Sequence, residues 1–237
     1  MFNRCQFFYT IFNMIFYNII SRIRDKRECS VMAEFTHLVN ERRSASNFLS
    51  GHPITKEDLN EMFELVALAP SAFNLQHTKY VTVLDQDVKE KLKQAANGQY
   101  KVVSSSAVLL VLGDKQAYQQ AADIYEGLKV LGILNKQEYD HMVQDTVSFY
   151  ENRGEQFKRD EAIRNASLSA MMFMLSAKEK GWDTCPMIGF DAEAVKRILN
   201  IDDQFEVVMM ITIGKEKTES RRPRGYRKPV NEFVEYM

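Results

Sequence analysis

The chain has 237 residues, 45% of them hydrophobic, enough to fill one large domain or two small ones and too apolar for a disordered protein. Its 31 lysines and arginines nearly balance 32 aspartates and glutamates, so no global field draws nucleic acid, and any charge recognition must come from local clusters. Three widely separated cysteines, Cys5, Cys29 and Cys185, suit a reducing compartment better than a disulfide scaffold, and a cytoplasmic location is expected.

Residues 1–31 differ in composition from the remainder of the chain. Phe7 to Ile20 is crowded with Phe, Tyr and Ile, and Arg22, Arg24, Lys26 and Arg27 come directly after it. A membrane anchor needs ~20 apolar residues. This run is shorter, Thr10, Asn13 and Asn18 interrupt it, and it leads into no small-residue site for signal cleavage. Arg27-Glu28 can be encoded by AGG-GAG, a purine-rich ribosome-binding sequence a short spacer before Met32. The expectation is therefore that translation starts at Met32, that residues 1–31 are an extension, disordered or loosely helical and outside the fold, and that residues 32–237 form the domain.

A short helix is expected from Glu34 to Arg43, ending in Arg42-Arg43-Ser44-Ala45-Ser46, where adjacent cations and hydroxyls suit a phosphate. A solvated helix end is the commoner alternative for such a string. Thr55 begins the next helix, with Glu57 and Asp58 in its first turn. Leu59, Met62, Phe63, Val66 and Ala69 recur at helical spacing until Pro70, which cannot donate the next helical bond. Pro70-Ser71-Ala72-Phe73-Asn74-Leu75-Gln76 is thus a polar turn before a strand from Tyr80 to Leu84, and it reads either as a plain connection or as a ligand-facing loop.

Gln86 to Ala96 is a charged helix stopped at Asn97-Gly98-Gln99-Tyr100-Lys101, and Ala107 to Leu112 is a central strand. Helices come next over Tyr118 to Leu134 and Glu138 to Tyr150, broken at Arg153-Gly154. Ala162 to Lys180 carries small and large apolar residues on nearly every side, so it should be buried all round, as a central dimer helix would be. Gly181-Trp182-Asp183-Thr184-Cys185-Pro186-Met187-Ile188-Gly189-Phe190 comes after it, then a short helix over Asp191 to Leu199 and an apolar strand over Glu206 to Gly214. Cys185 has no partner nearby in sequence and reads as a packed thiol. The tail turns basic at Arg221-Arg222-Pro223-Arg224-Gly225-Tyr226-Arg227-Lys228-Pro229, too short and too poor in aromatics for a nucleic-acid surface.

No strand leads into a G-x-G-x-x-G, there is neither a Walker loop nor a G-x-S-x-G elbow, and His37, His52, His77 and His141 lack metal-ligand spacing. Neither a Rossmann dinucleotide site nor a metal centre is expected.

Taken in order, the Arg42–Ser46 string, Pro-Ser-x-x-Asn-x-Gln at residues 70–76, Pro-x-x-Gly-Phe at residues 186–190 and the basic string before Pro229 resemble the nitroreductase family, over about Glu34 to Met237. That resemblance implies an α+β fold with a central, mainly antiparallel sheet flanked by helices, and an intertwined homodimer with two tightly bound FMN at its interface. It implies a ping-pong oxidoreductase, in which NADPH or NADH reduces the flavin and a small-molecule acceptor such as a nitroaromatic or quinone is reduced in turn. Flavin breakdown, dehalogenation and non-turnover FMN binding stay open as alternatives. By the resemblance, Arg42, Arg43 and Ser44 meet the FMN phosphate and ribityl chain, and Arg224 and Arg227 return to the phosphate. Pro70, Ser71, Ala72 and Asn74 lie against the partner subunit's flavin, Gln99 and Lys101 meet the ring or ribityl chain, and backbone N–H groups of Pro186-Met187-Ile188-Gly189 approach N5 and O4. Ser46 stands where the family has Lys or Arg, so either Lys101, the favoured candidate, or Arg43 supplies the charge, or the bound FMN is harder to reduce. Phe149 and Tyr150 are candidate substrate contacts, against the commoner alternative that an aromatic on a helix is core. No side-chain acid or base is implied.

Overall fold

The computed structural model describes residues 34–237, so the extension expected before Met32 lies outside the described residues. The chain divides into a unit ending at Arg42 and a unit from Arg43 to Met237. In the first, residues 34–41 are helical (α1), and the Arg42 N–H donates back to the Leu38 carbonyl at 2.9 Å.

The second unit is built on a four-stranded antiparallel sheet in the order β1-β2-β4-β3, with β1 at Thr78–Val83, β2 at Ala107–Asp114, β3 at Asp183–Met187 and β4 at Phe205–Gly214. Every residue of β2 is buried, because β1 and β4 cover its edges and helices cover both of its faces. Strand alternation sorts the side chains. Leu109 and Val111 join Ile211 and Ile213 against α2 (Lys56–Val66) and α7 (Gly154–Glu179), whereas Val108, Leu110 and Met210 face α3 (Gln86–Ala95) and α8 (Ala192–Leu199). The arrangement is the α+β sheet between helices that the sequence implied.

Local chemistry sets the helix ends. The Asp58 N–H donates to Thr55 Oγ1 at 3.0 Å and the Thr55 N–H donates to Asp58 Oδ2 at 2.9 Å, a reciprocal cap for α2. Past α3, Asn97 and Gly98 both take positive φ, 55° and 72°, and turn the chain into α4 (Lys101–Ser104). Between β2 and α7, a 3-10 turn leads into α5 (Ala121–Val130) and α6 (Lys136–Glu151). These pack on a third core of their own, formed by Leu75, Tyr118, Tyr125 and Tyr150.

Three expectations need correction. The sequence reading assigns no regular element to residues 181–190, yet Asp183–Met187 is a strand, and Pro186 is tolerated in it because β3 is the last strand of the sheet. α7 starts at Gly154, two turns before Ala162, because its charged first turns are held by helix propensity and ion pairs rather than by an apolar stripe. Nor is α7 buried all round: Leu168 and Met171 are 47% and 41% exposed, since nothing in the second unit covers that strip.

α7 lies very close to the sheet at Gly113, where a Cβ would sit 2.7 Å from the Ala162 carbonyl oxygen. Gly113→Ala should therefore lower the unfolding free energy by roughly 1–3 kcal/mol in a denaturant titration. A midpoint equal to that of the parent would show that the two backbones can separate freely.

Candidate functional site

The outer edge of β3 gathers the first group of predicted residues. Ser44 bridges Thr184 in parallel, and the Ala45 N–H donates to the Thr184 carbonyl at 2.9 Å. The segment then runs alongside the end of β4, with the Leu49 N–H on the Lys215 carbonyl at 2.8 Å and the Lys217 N–H on the Asn47 carbonyl at 3.0 Å. Arg43 and Ser46 are half-buried and Ser44 is exposed along this edge. Pro186 has no N–H to offer, so strand pairing does not continue outward beyond it.

Directly past that edge, the strand's exit loop meets the turn before α4. Asn97 Nδ2 and Gln99 Nε2 both donate to the Gly189 carbonyl, at 3.2 and 3.1 Å. The Asp191 N–H donates to the Ala95 carbonyl at 2.8 Å and closes the same junction from its far side. Gly189 is exposed, with space where a side chain would be: a Cβ there meets only Gln99 Nε2, at 3.7 Å. Ile188 is 82% exposed, while Met187 turns into the core. Lys101 leans toward the sheet, and its ammonium donates to Cys185 Sγ at 3.4 Å, which gives the packed thiol a partner that sequence spacing did not reveal. Ser44 beside Thr184, Lys101 beside Cys185 and Gln99 on Gly189 thus lie along β3 and its exit loop, while the chain past Ser46 runs to Lys215 and Lys217 beside the strand's other end.

The Pro70–Gln76 loop stands apart. Phe73, Asn74 and Gln76 all take positive φ, at 54°, 56° and 50°, a conformation that side chains other than glycine adopt at a cost. Several bonds hold it: the Ala72 N–H donates to Asn165 Oδ1 at 2.7 Å, the Gln76 N–H to Ser71 Oγ at 3.0 Å, and Tyr125 OH to the Phe73 carbonyl at 3.0 Å. Pro70 and Ser71 line a cavity of about 200 Å³ with Tyr80, Asn165 and Ser169. Among the described residues, none of the loop's hydrogen bonds reaches Ser44, Gln99, Lys101 or Gly189.

The remaining candidates are scattered. Phe149 is half-buried against Phe73, ring centroids 5.1 Å apart, with the Arg153 guanidinium over its other side. Tyr150 corrects the sequence reading. Its ring is 1% exposed and stacked on Tyr118, so it is core and not a surface for substrate. Arg224 and Arg227 are exposed in the tail, where the Arg227 guanidinium donates to the carbonyls of Gly225 and Tyr226. Arg42 belongs to the first unit. Sequence reasoning missed Asn97, taken as part of a helix stop, and Asn165, a buried amide between Ala162 and Ala166 whose polarity on an apolar face was the available signal. Among the described residues no cluster of His, Cys, Asp and Glu could hold a metal, and no helix is long and apolar enough to cross a membrane.

Residues 39–215 match the model of the Nitroreductase family. YodC of Bacillus subtilis, provisionally named an NAD(P)H nitroreductase, is 35% identical over 184 residues, which are 78% of this chain and 90% of that protein. The crystal structure of a Bacillus subtilis protein, ydfN, provisionally called a nitroreductase, is 98% identical with a TM-score of 0.86, and covers 87% of this chain and 100% of its own. A protein from Exiguobacterium sibiricum, solved in complex with FMN and also provisionally called a nitroreductase, is 28% identical with a TM-score of 0.79, over 86% of this chain and 97% of that one.

His77, beside the Pro70–Gln76 loop, carries a pH signature. Burial lowers its pKa from 6.5 to about 4, so the folded chain keeps it neutral while the unfolded chain protonates it below about pH 6.5. The unfolded state binds the extra proton, so stability is full above about pH 6.5 and falls as pH drops toward 4, by up to about 3 kcal/mol. Denaturant titrations from pH 7 to pH 4 should show that fall, and His77→Gln should flatten it. A slope that survives His77→Gln unchanged would assign it to other groups.

Proposed function

The chain belongs to the nitroreductase family, and from that premise we propose that it is an FMN-dependent NAD(P)H oxidoreductase, working as a homodimer, that reduces a nitroaromatic, quinone or similar acceptor. The observation that carries this reading is the polar group along β3 and its exit loop, where Ser44 meets Thr184, Lys101 meets the neighbouring Cys185, and Gln99 holds an open Gly189. A cation, hydroxyls, an amide and an unobstructed backbone suit a flat, phosphorylated, hydrogen-bonding cofactor. When bound, FMN would supply the hydride and two-electron chemistry between NADPH or NADH and the acceptor. Arg43 and Ser44 would hold its phosphate end, and Gln99, already donating to the Gly189 carbonyl, would orient the loop against its ring. Lys101 stands in for the cation that Ser46 lacks and favours the more negatively charged reduced form.

Two observations support a homodimer whose site is shared. Ser71 and Asn74 make no described contact with the β3 group, which is what residues serving a second copy's flavin require. The exposed Leu168 and Met171 on α7, with exposed Tyr226, Val230 and Phe233 in the tail, offer apolar surface for that copy. The 98% identical relative is matched along its whole length by 87% of this chain, which supports a domain formed without residues 1–31. A cytoplasmic location belongs to the same proposal, and cell fractionation tests it.

The purified full chain should be yellow and should oxidise NADPH or NADH steadily with menadione or nitrofurazone as acceptor; a chain begun at Met32 should do the same. A flavin-loaded protein that shows no turnover with either reductant would make it a binding protein instead. Lys101→Met should lower the midpoint potential of the bound FMN by roughly tens of millivolts. An unchanged potential would remove Lys101 from the ring's surroundings.

A further inference from the structure

The Pro70–Gln76 loop keeps three non-glycine residues at positive φ. Each costs of order 1–3 kcal/mol and persists only where the surroundings over-determine it. Those surroundings form a buried polar chain that the oxidoreductase reading does not use. The Ala72 N–H donates to Asn165 Oδ1 at 2.7 Å, and the other end of that amide donates to the Glu161 carbonyl at 2.8 Å and to Glu161 Oε2 at 3.4 Å. Two acceptors on the nitrogen side leave one orientation for the Asn165 amide, with its oxygen on Ala72. Glu161, itself buried, pairs with Arg164 and accepts from Tyr150 OH at 3.5 Å.

Tyr150 OH also lies 3.2 Å from His77 Nε2. Either group can be the donor in that pair, according to the His77 tautomer. The ring's other nitrogen, Nδ1, is buried and without a partner among the described residues. The chain of contacts thus runs from His77 through Tyr150 and Glu161 to Asn165. On the loop's other side, Tyr125 OH meets the Phe73 carbonyl at 3.0 Å and Thr146 Oγ1 at 3.2 Å.

We propose that Asn165 is a positioning residue: oriented by Glu161, it holds Ala72 so that the strained loop presents Ser71 and Asn74 to the flavin of a second copy of the chain. This rests on the shared-site reading given above. A helix interior selects no asparagine for its own sake. Asn165 sits between Ala162 and Ala166, where an apolar residue would continue the face packed on the sheet. Its amide therefore serves the loop. Tyr125 is the second brace, and loosening either one lets the loop relax toward unstrained φ values and lose its grip on the cofactor.

The test uses the full chain, stripped of flavin and titrated with FMN by fluorescence quenching, with helix content and dimer mass checked for each variant. Asn165→Leu, close in shape but unable to bond, should weaken FMN binding about tenfold, and Tyr125→Phe should weaken it by a smaller factor. Mixed dimers then separate positioning across the interface from a general loss of structure. Pairing an Asn165→Leu subunit with an Arg43→Ala subunit leaves one site with an intact β3 group and an intact partner loop, so one tight FMN per dimer is expected. No tight site in that dimer would mean that Asn165 acts on its own subunit's flavin, and would overturn the proposal. Parent-like affinity in a folded Asn165→Leu dimer would overturn it too, while leaving the oxidoreductase reading intact. If Asn165→Leu does not fold, Tyr125→Phe decides, parent-like affinity again counting against the proposal. A parent chain that binds no FMN, or binds it fully as a monomer, would instead remove the shared-site reading and this inference with it.

Discussion

The close approach of α7 to the sheet is the constraint on which the rest of the second unit depends. At Gly113 the backbones of β2 and α7 come so near that a side chain on the strand would press on the Ala162 carbonyl, and small residues along the helix, Ala162, Ala166 and Ala170, keep that spacing. A helix held there has three surfaces with different tasks. One packs on Leu109, Val111, Ile211 and Ile213. A second carries Asn165 and Ser169 to the Pro70–Gln76 loop and to Tyr80. The third leaves Leu168 and Met171 facing outward. Moving the helix away from the sheet would disturb all three together, because tightly packed interiors transmit displacement.

The sheet order explains how distant segments reach one place. β3 comes after α7 in sequence yet ends the sheet beside β4, so its outer edge is open to receive Ser44 and Ala45 from the start of the unit. That edge would otherwise present unpaired backbone groups. The pairing satisfies the Thr184 carbonyl and at the same time sets Ser44 beside Thr184, one residue from the Cys185 that Lys101 meets. Backbone pairing thus does the gathering, and the side-chain amides of Asn97 and Gln99 fasten the loop once it is there.

Buried polar groups are the costly part of this design. His77, Glu161 and Asn165 are each nearly inaccessible, and an unsatisfied group among them would cost about 1–3 kcal/mol. The chain of bonds from His77 to Asn165 satisfies almost every one, at the expense of a histidine that folding must keep neutral. An all-apolar arrangement would be simpler to fold but could not hold one orientation of an amide.

Much of this was legible in the residues themselves. β2 and β4 are apolar runs and Thr55 and Asp58 form a recognisable cap, since each rests on local backbone chemistry, whereas α2 already stops at Val66, a turn before the Pro70 that was expected to end it. The strings at residues 42–46, 70–76 and 186–190 were likewise visible as polar or glycine-bearing joints between regular elements. Tertiary structure decided the rest. Tyr150 and Phe149 are adjacent aromatics on one helix, and only packing makes the first core and leaves the second beside Phe73. Lys101 and Cys185, or Asn165 and Ala72, meet across many residues of intervening chain, so no local pattern announces either pair. A sequence declares its short-range preferences through spacing and side-chain type. Which polar groups end up as partners depends on how the sheet orders its strands and how closely one helix can lie on it, and those are properties of the folded whole.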